Sequence, residues 1–146
     1  MGINLSHAAL RLVTGAFILN SGVGKLKLDE EHAAGLQSMA GNAIPALKKL
    51  PPERFGKMLS FGEITVGSLL LAPFVPSRLA GLALGVFSGS LVTMYLRTPG
   101  MTEPDGFRPT PAGTALAKDT WMLGIAAALL LDRKHKGVKV ARRAAG

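Results

Sequence analysis

Four stretches of this chain are apolar along nearly their whole length: residues 1–24, 58–77, 79–96 and 111–131. A helical apolar run of about 20 residues matches the thickness of a bilayer core. Arg11 is the only charged side chain in the first run, and Glu63 the only one in the second. Lys118 and Asp119 sit side by side in the fourth, and the third has none. A charge inside a membrane-spanning helix costs about 2.5–3.5 kcal/mol on insertion scales. It persists where it faces a bundle interior, pairs with a neighbour or performs work. These four residues are the first candidates for function.

The basic residues reinforce this reading. Net charge is +8, which in a soluble chain would raise nucleic-acid binding. Here only Arg11 and Lys118, of 17 Lys and Arg, fall within an apolar run. The positive charge therefore reads as loop and tail topology beside a lipid bilayer, and no nucleic acid is expected as a partner. There is no cysteine, which excludes disulfides, thiol catalysis and thiolate-held clusters. The N-terminus lacks a basic region ahead of its apolar part, and Arg11 interrupts that part, so it reads as a retained helix and not a secretory signal.

The expected fold is all-α: a four-transmembrane-helix bundle over residues 1–132, followed by a basic tail at 133–146. Helices are expected at roughly 4–25, 58–75, 78–97 and 111–132. Ser6 is the expected cap of the first, the Gly22/Gly24 pair its end, and Pro111 the first turn of the last. Between the first two, residues 26–57 are charged at both ends and apolar in the middle. Leu36, Met39, Ala40, Ala43, Ile44 and Leu47 recur at helical spacing. They define a short amphipathic helix in the first loop, lying on the membrane surface or packed over the bundle. Residues 98–110 are rich in turn signals.

Six Lys and Arg follow Asp132, which places the C-terminus in the cytoplasm. An even number of spans then places the N-terminus there too, with Tyr95 and Trp121 near the outer interface. The tail suits anionic lipid headgroups. In this topology Lys25, Glu63, Lys118 and Asp119 all approach the same face and can meet as alternating charges. Arg11 enters from the other side, about 12 Å along its helix at 1.5 Å per residue. The set reads as a polar network fixing helix register, as a substrate or quinone headgroup site, or as a proton path. On the third span, Gly81, Gly85 and Gly89 form a small-residue stripe at four-residue spacing. Such a stripe admits a close neighbouring helix, within this bundle, in a second copy or in a partner subunit.

The order of these motifs resembles a known family. The run from Arg11 through Gly15, Phe17 and Gly22 to Lys25 is similar to the first helix of DoxX-like membrane proteins, with an arginine, a glycine four on, an apolar–aromatic stretch, then glycine and lysine. Phe61-Gly62-Glu63 with Gly67 resembles the family's second helix, and Lys118-Asp119 ahead of an apolar run its fourth. The resemblance implies a four-helix bundle in a bacterial plasma membrane, associated with oxidoreductase complexes that handle thiosulfate, thiol or oxidative chemistry through quinone. It carries Arg11, Lys25, Glu63, Lys118 and Asp119 over as motif residues and not as established catalysts.

The residue inventory leaves little for autonomous redox catalysis. Of the three histidines, His7, His32 and His135, only His7 lies near an expected span. No pair is placed to clasp a haem, and no spacing suits a metal. The expected role is a non-catalytic accessory or anchor subunit of a quinone-linked redox complex, with a membrane protein partner or a homo-oligomer around it. No covalently bound or metal cofactor is expected, and quinone is the one candidate ligand. The alternatives are a small-solute transporter and a free-standing quinone-binding protein using the same charges.

Overall fold

The computed structural model describes residues 4–131. The basic tail and the expected cytoplasmic C-terminus lie outside the described residues. The described chain is all-helical, with α1 at Leu5–Gly24, α2 at Glu30–Ala43, α3 at Pro52–Leu71, α4 at Ser77–Arg97, α5 at Thr114–Ala117 and α6 at Thr120–Leu131. Two stretches, Ser77–Arg97 and Thr114–Leu131, are long and apolar enough to cross a membrane.

Local chemistry explains the boundaries. Asn4, and not Ser6, caps α1: its side chain accepts from the backbone N–H groups of Ser6 and His7. Helix α3 begins six residues before the expected 58, because Pro52 at its first turn is pre-set for a helix and Glu53 suits the positive end of the dipole. It stops at Leu71, ahead of Pro73, which would remove a backbone donor and crowd the preceding turn.

The fourth apolar run is not one continuous helix from 111 to 132. Residues 110–113 form a turn, and the helix is interrupted at Lys118 and Asp119. Around the break the N–H groups of Asp119, Trp121 and Met122 donate to carbonyls three residues back instead of four. That tightens the chain locally and redirects the side chains on either side.

Helices α1 and α3 form one tight pair, α4 and α6 the other, while α1 and α6 barely touch. The first pair is a glycine seam. A Cβ on Gly67 would lie 2.7 Å from the Leu19 nitrogen, and one on Gly22 would lie 2.8 Å from the Ile64 nitrogen. Ser60 donates to the Gly22 carbonyl at 2.6 Å across the same contact. Gly22 therefore serves the seam as well as the helix end.

The stripe on α4 packs within the chain. A Cβ on Gly81 would stand 2.8 Å from the Leu129 Cβ, and one on Gly85 would make ordinary contact with Ala126, whereas Gly89 faces open space. Gly81→Leu is therefore expected to lower the thermal midpoint sharply, and Gly89→Leu to leave it within a degree or two of wild type. Melting of the two detergent-purified variants checks this.

The amphipathic segment forms α2 and packs over the bundle, but the helix ends at Ala43, because Pro45 forces Ile44 into an extended conformation. Gln37 is buried and donates to the carbonyls of Leu47 and Leu50, closing the following loop onto the helix. Asn42 donates to Thr98 and Arg97 to the Ala43 carbonyl, tying the end of α2 to the end of α4. Tyr95 is not a lipid-facing interface residue: it is 3% exposed and its hydroxyl donates to the Phe107 carbonyl at 2.7 Å. The 98–113 loop folds back over it and satisfies the hydroxyl internally. Trp121 is 76% exposed.

Candidate functional site

The antiparallel helices bring the C-terminal end of α1, the N-terminal halves of α3 and α6 and the C-terminal part of α4 to one end of the bundle. There α2 covers a cavity of about 490 Å³. All six residues of the apolar stripe, Leu36 through Leu47, line it. So do Phe17, Phe55 and Phe87, and four of the chain's six methionines: Met39, Met58, Met94 and Met122. Methionine is unbranched and polarizable, so such walls adapt to an apolar guest.

Lys25, Glu63, Lys118 and Asp119 line this same cavity. Glu63 is 5% exposed and pairs with Lys25 at 2.9 Å. The Lys25 ammonium also donates to the Ser21 hydroxyl at 2.6 Å. Each partner compensates the other's burial, which a lone charge there could not tolerate. Lys118 is exposed and reaches the other way, its ammonium 5.8 Å from the centre of the Phe17 ring, within cation–π range. Phe17 is 60% exposed, and both it and Lys118 line the cavity, where helices α1 and α6 touch little.

Asp119 is 8% exposed. Among the described residues its carboxylate has no hydrogen bond and no ion pair. Alternating charges would set a cation against Asp119, but among the described residues no cation lies within ion-pair distance of it. Asp119→Asn is therefore expected to leave the melting temperature unchanged or raise it, because a neutral amide is cheaper to bury than an unpaired carboxylate. Thermal unfolding in detergent measures this directly.

Arg11 does not join the cluster. It sits at the opposite end of α1, where its guanidinium donates to the carbonyls of Leu69, Leu70, Ala72 and Val75 at 2.7–3.1 Å, and to the Ser77 hydroxyl at 3.4 Å. It caps the carbonyl end of α3 and the turn that follows. Helix ends expose orphan carbonyls, and Pro73 stops α3 opposite Arg11. Those two signals, read together, point to this role.

Among the described residues no three His, Asp or Glu side chains gather closely enough to hold a metal ion. The arrangement defines a helical bundle with an apolar cavity, floored by one ion pair and one unpartnered carboxylate. No family profile, curated protein or solved structure matches the chain.

Proposed function

We propose that this chain is a four-helix integral membrane protein of the DoxX-like kind, and that its cavity holds the headgroup of a membrane-soluble ligand. One observation carries the reading. Four charged residues, three of them drawn from apolar runs and one from a helix end, converge on a single cavity whose walls are otherwise almost wholly apolar. Its volume falls within the range of about 300–1,000 Å³ typical of small-molecule pockets. Phe17 and Lys118, both exposed at the cavity wall, would offer a lipid-dissolved molecule a way in from the side.

The polarity of α1 and α3 supports membrane residence. Arg11 and Thr14 on α1, with Ser60 and Glu63 on α3, point inward, while Leu12, Val13, Phe17, Met58 and Phe61 are exposed. In water such faces would be costly; in lipid they are the expected arrangement.

With quinone as the candidate ligand, the chain serves as an accessory or anchor subunit of a membrane redox complex in a bacterial plasma membrane, and electrons come from a partner. Purification in a mild detergent tests this. A stoichiometric flavin- or haem-bearing partner is the expected result. A pure homo-oligomer that moves solute across liposomes would overturn it in favour of transport.

A further inference from the structure

We propose that Asp119 selects a hydroxyl-bearing headgroup for the cavity, one that donates a hydrogen bond to this carboxylate while accepting one from Lys25. The inference rests on the reading of the cavity as a ligand site and names the chemistry of its occupant.

Asp119 is more than nine-tenths buried, lines the cavity and makes no side-chain hydrogen bond or ion pair among the described residues. Its position directly before α6 would ordinarily make it the cap of that helix. Here the N–H groups of Trp121 and Met122 donate to the backbone carbonyls of Lys118 and Asp119. The carboxylate is thus not used by its own helix. Lys118 acts on it only through space, forming no ion pair while its ammonium lies over Phe17, and the Glu63 carboxylate repels it. An ionised carboxylate only accepts hydrogen bonds, so what it lacks is a donor.

Lys25 has the complementary vacancy. An ammonium carries three N–H donors. Two are engaged, by the Ser21 hydroxyl and by Glu63. Among the described residues the cavity therefore holds unfilled acceptors, on Asp119 and at Glu63 Oε1, and one unfilled donor on Lys25. A hydroxyl answers one of each. An ether or carbonyl oxygen answers only the donor and sets its lone pairs against Asp119. A protonated amine answers only the acceptor and is repelled by Lys25. For a redox-active aromatic ring, the same rule favours the hydroquinone over the quinone.

Calorimetric titration of the full chain in lipid nanodiscs, with empty nanodiscs as reference, tests this with three probes sharing one tail: 4-nonylphenol, its methyl ether and 4-nonylbenzylamine. The phenol is expected to bind about tenfold or more tightly than either other probe, the scale of one hydrogen bond to a charged group. In Asp119→Asn the gap between phenol and ether should shrink to about threefold or less, since an amide can donate as well as accept. Equal binding of phenol and ether by the wild-type chain overturns the inference and leaves the cavity reading standing. Tightest binding of the amine overturns it in favour of a cation site. Binding of none of the three removes the cavity reading and the inference together. The wild-type comparison decides the matter even if the variant fails to fold.

Discussion

Arg11→Met is expected to cost about 3–5 kcal/mol of stability, the range for breaking a buried charged network. Methionine keeps the length and apolar stem of arginine, so the loss isolates the guanidinium. That group spreads its donors over four carbonyls and one hydroxyl where α3 ends. A hydrogen bond to a charged group contributes about 1.5–3 kcal/mol, and bonds sharing one donor group do not add fully. In the membrane setting proposed above, no water would replace the lost donor, and the orphaned carbonyls would remain unsatisfied. Arg11→Lys should recover only part of the loss, because an ammonium is a point charge and cannot span a fork of acceptors. Thermal unfolding followed by size-exclusion chromatography measures both variants. A methionine variant that melts with the wild type would show that α3 does not depend on this cap. Arg11 lies at the other end of the bundle from the cavity, so ligand affinity of the folded fraction should not move.

Glu63→Leu is expected to cost a similar amount, about 3–5 kcal/mol, because it strands the Lys25 ammonium in a largely buried site. The double variant Lys25→Met/Glu63→Leu should recover most of that loss. An apolar pair of similar volume is often neutral or better than a buried ion pair, since neither charge must be desolvated. Binding should behave differently: both the single and the double variant should lose affinity for the phenol probe by about tenfold or more, as the oriented donor disappears. A double-mutant cycle read by melting and by titration separates the two roles. Recovery of stability without recovery of binding marks the pair as part of the site. Recovery of both would leave it as a lock between α1 and α3 and nothing more.

The sequence disclosed some elements well. Helices α1 and α4 lie within a residue or two of where the apolar runs place them, because glycine and proline punctuate those runs. The stripe from Leu36 to Leu47 was legible as apolar and all of it lines the cavity, though α2 ends at Ala43, ahead of Pro45, so Ile44 and Leu47 reach the wall from the loop that follows. The start of α3 was less visible, since Glu53, Arg54 and Lys57 in its first turns look like loop charges. The break at Lys118 and Asp119 was hidden because hydropathy runs unbroken across it except for those two residues. Tyr95 looked like an interface aromatic because no local signal announces that the 98–113 loop folds back to accept its hydroxyl bond.

The sequence by itself determined that the chain is helical, which stretches demand an apolar surrounding, and which charges interrupt them. These are properties of composition and period along the chain, and they do not depend on what packs against what. Helix direction alone also sent Lys25, Glu63, Lys118 and Asp119 toward one end. Only the tertiary structure decided that Lys25 and Glu63 pair, that Lys118 turns to Phe17, that Asp119 is left without a partner and that Arg11 caps α3. Those outcomes hang on contacts between helices far apart in sequence. The Gly15, Gly22 and Gly67 seam sets how closely α1 and α3 approach, and the stop at Pro73 fixes where carbonyls are left open.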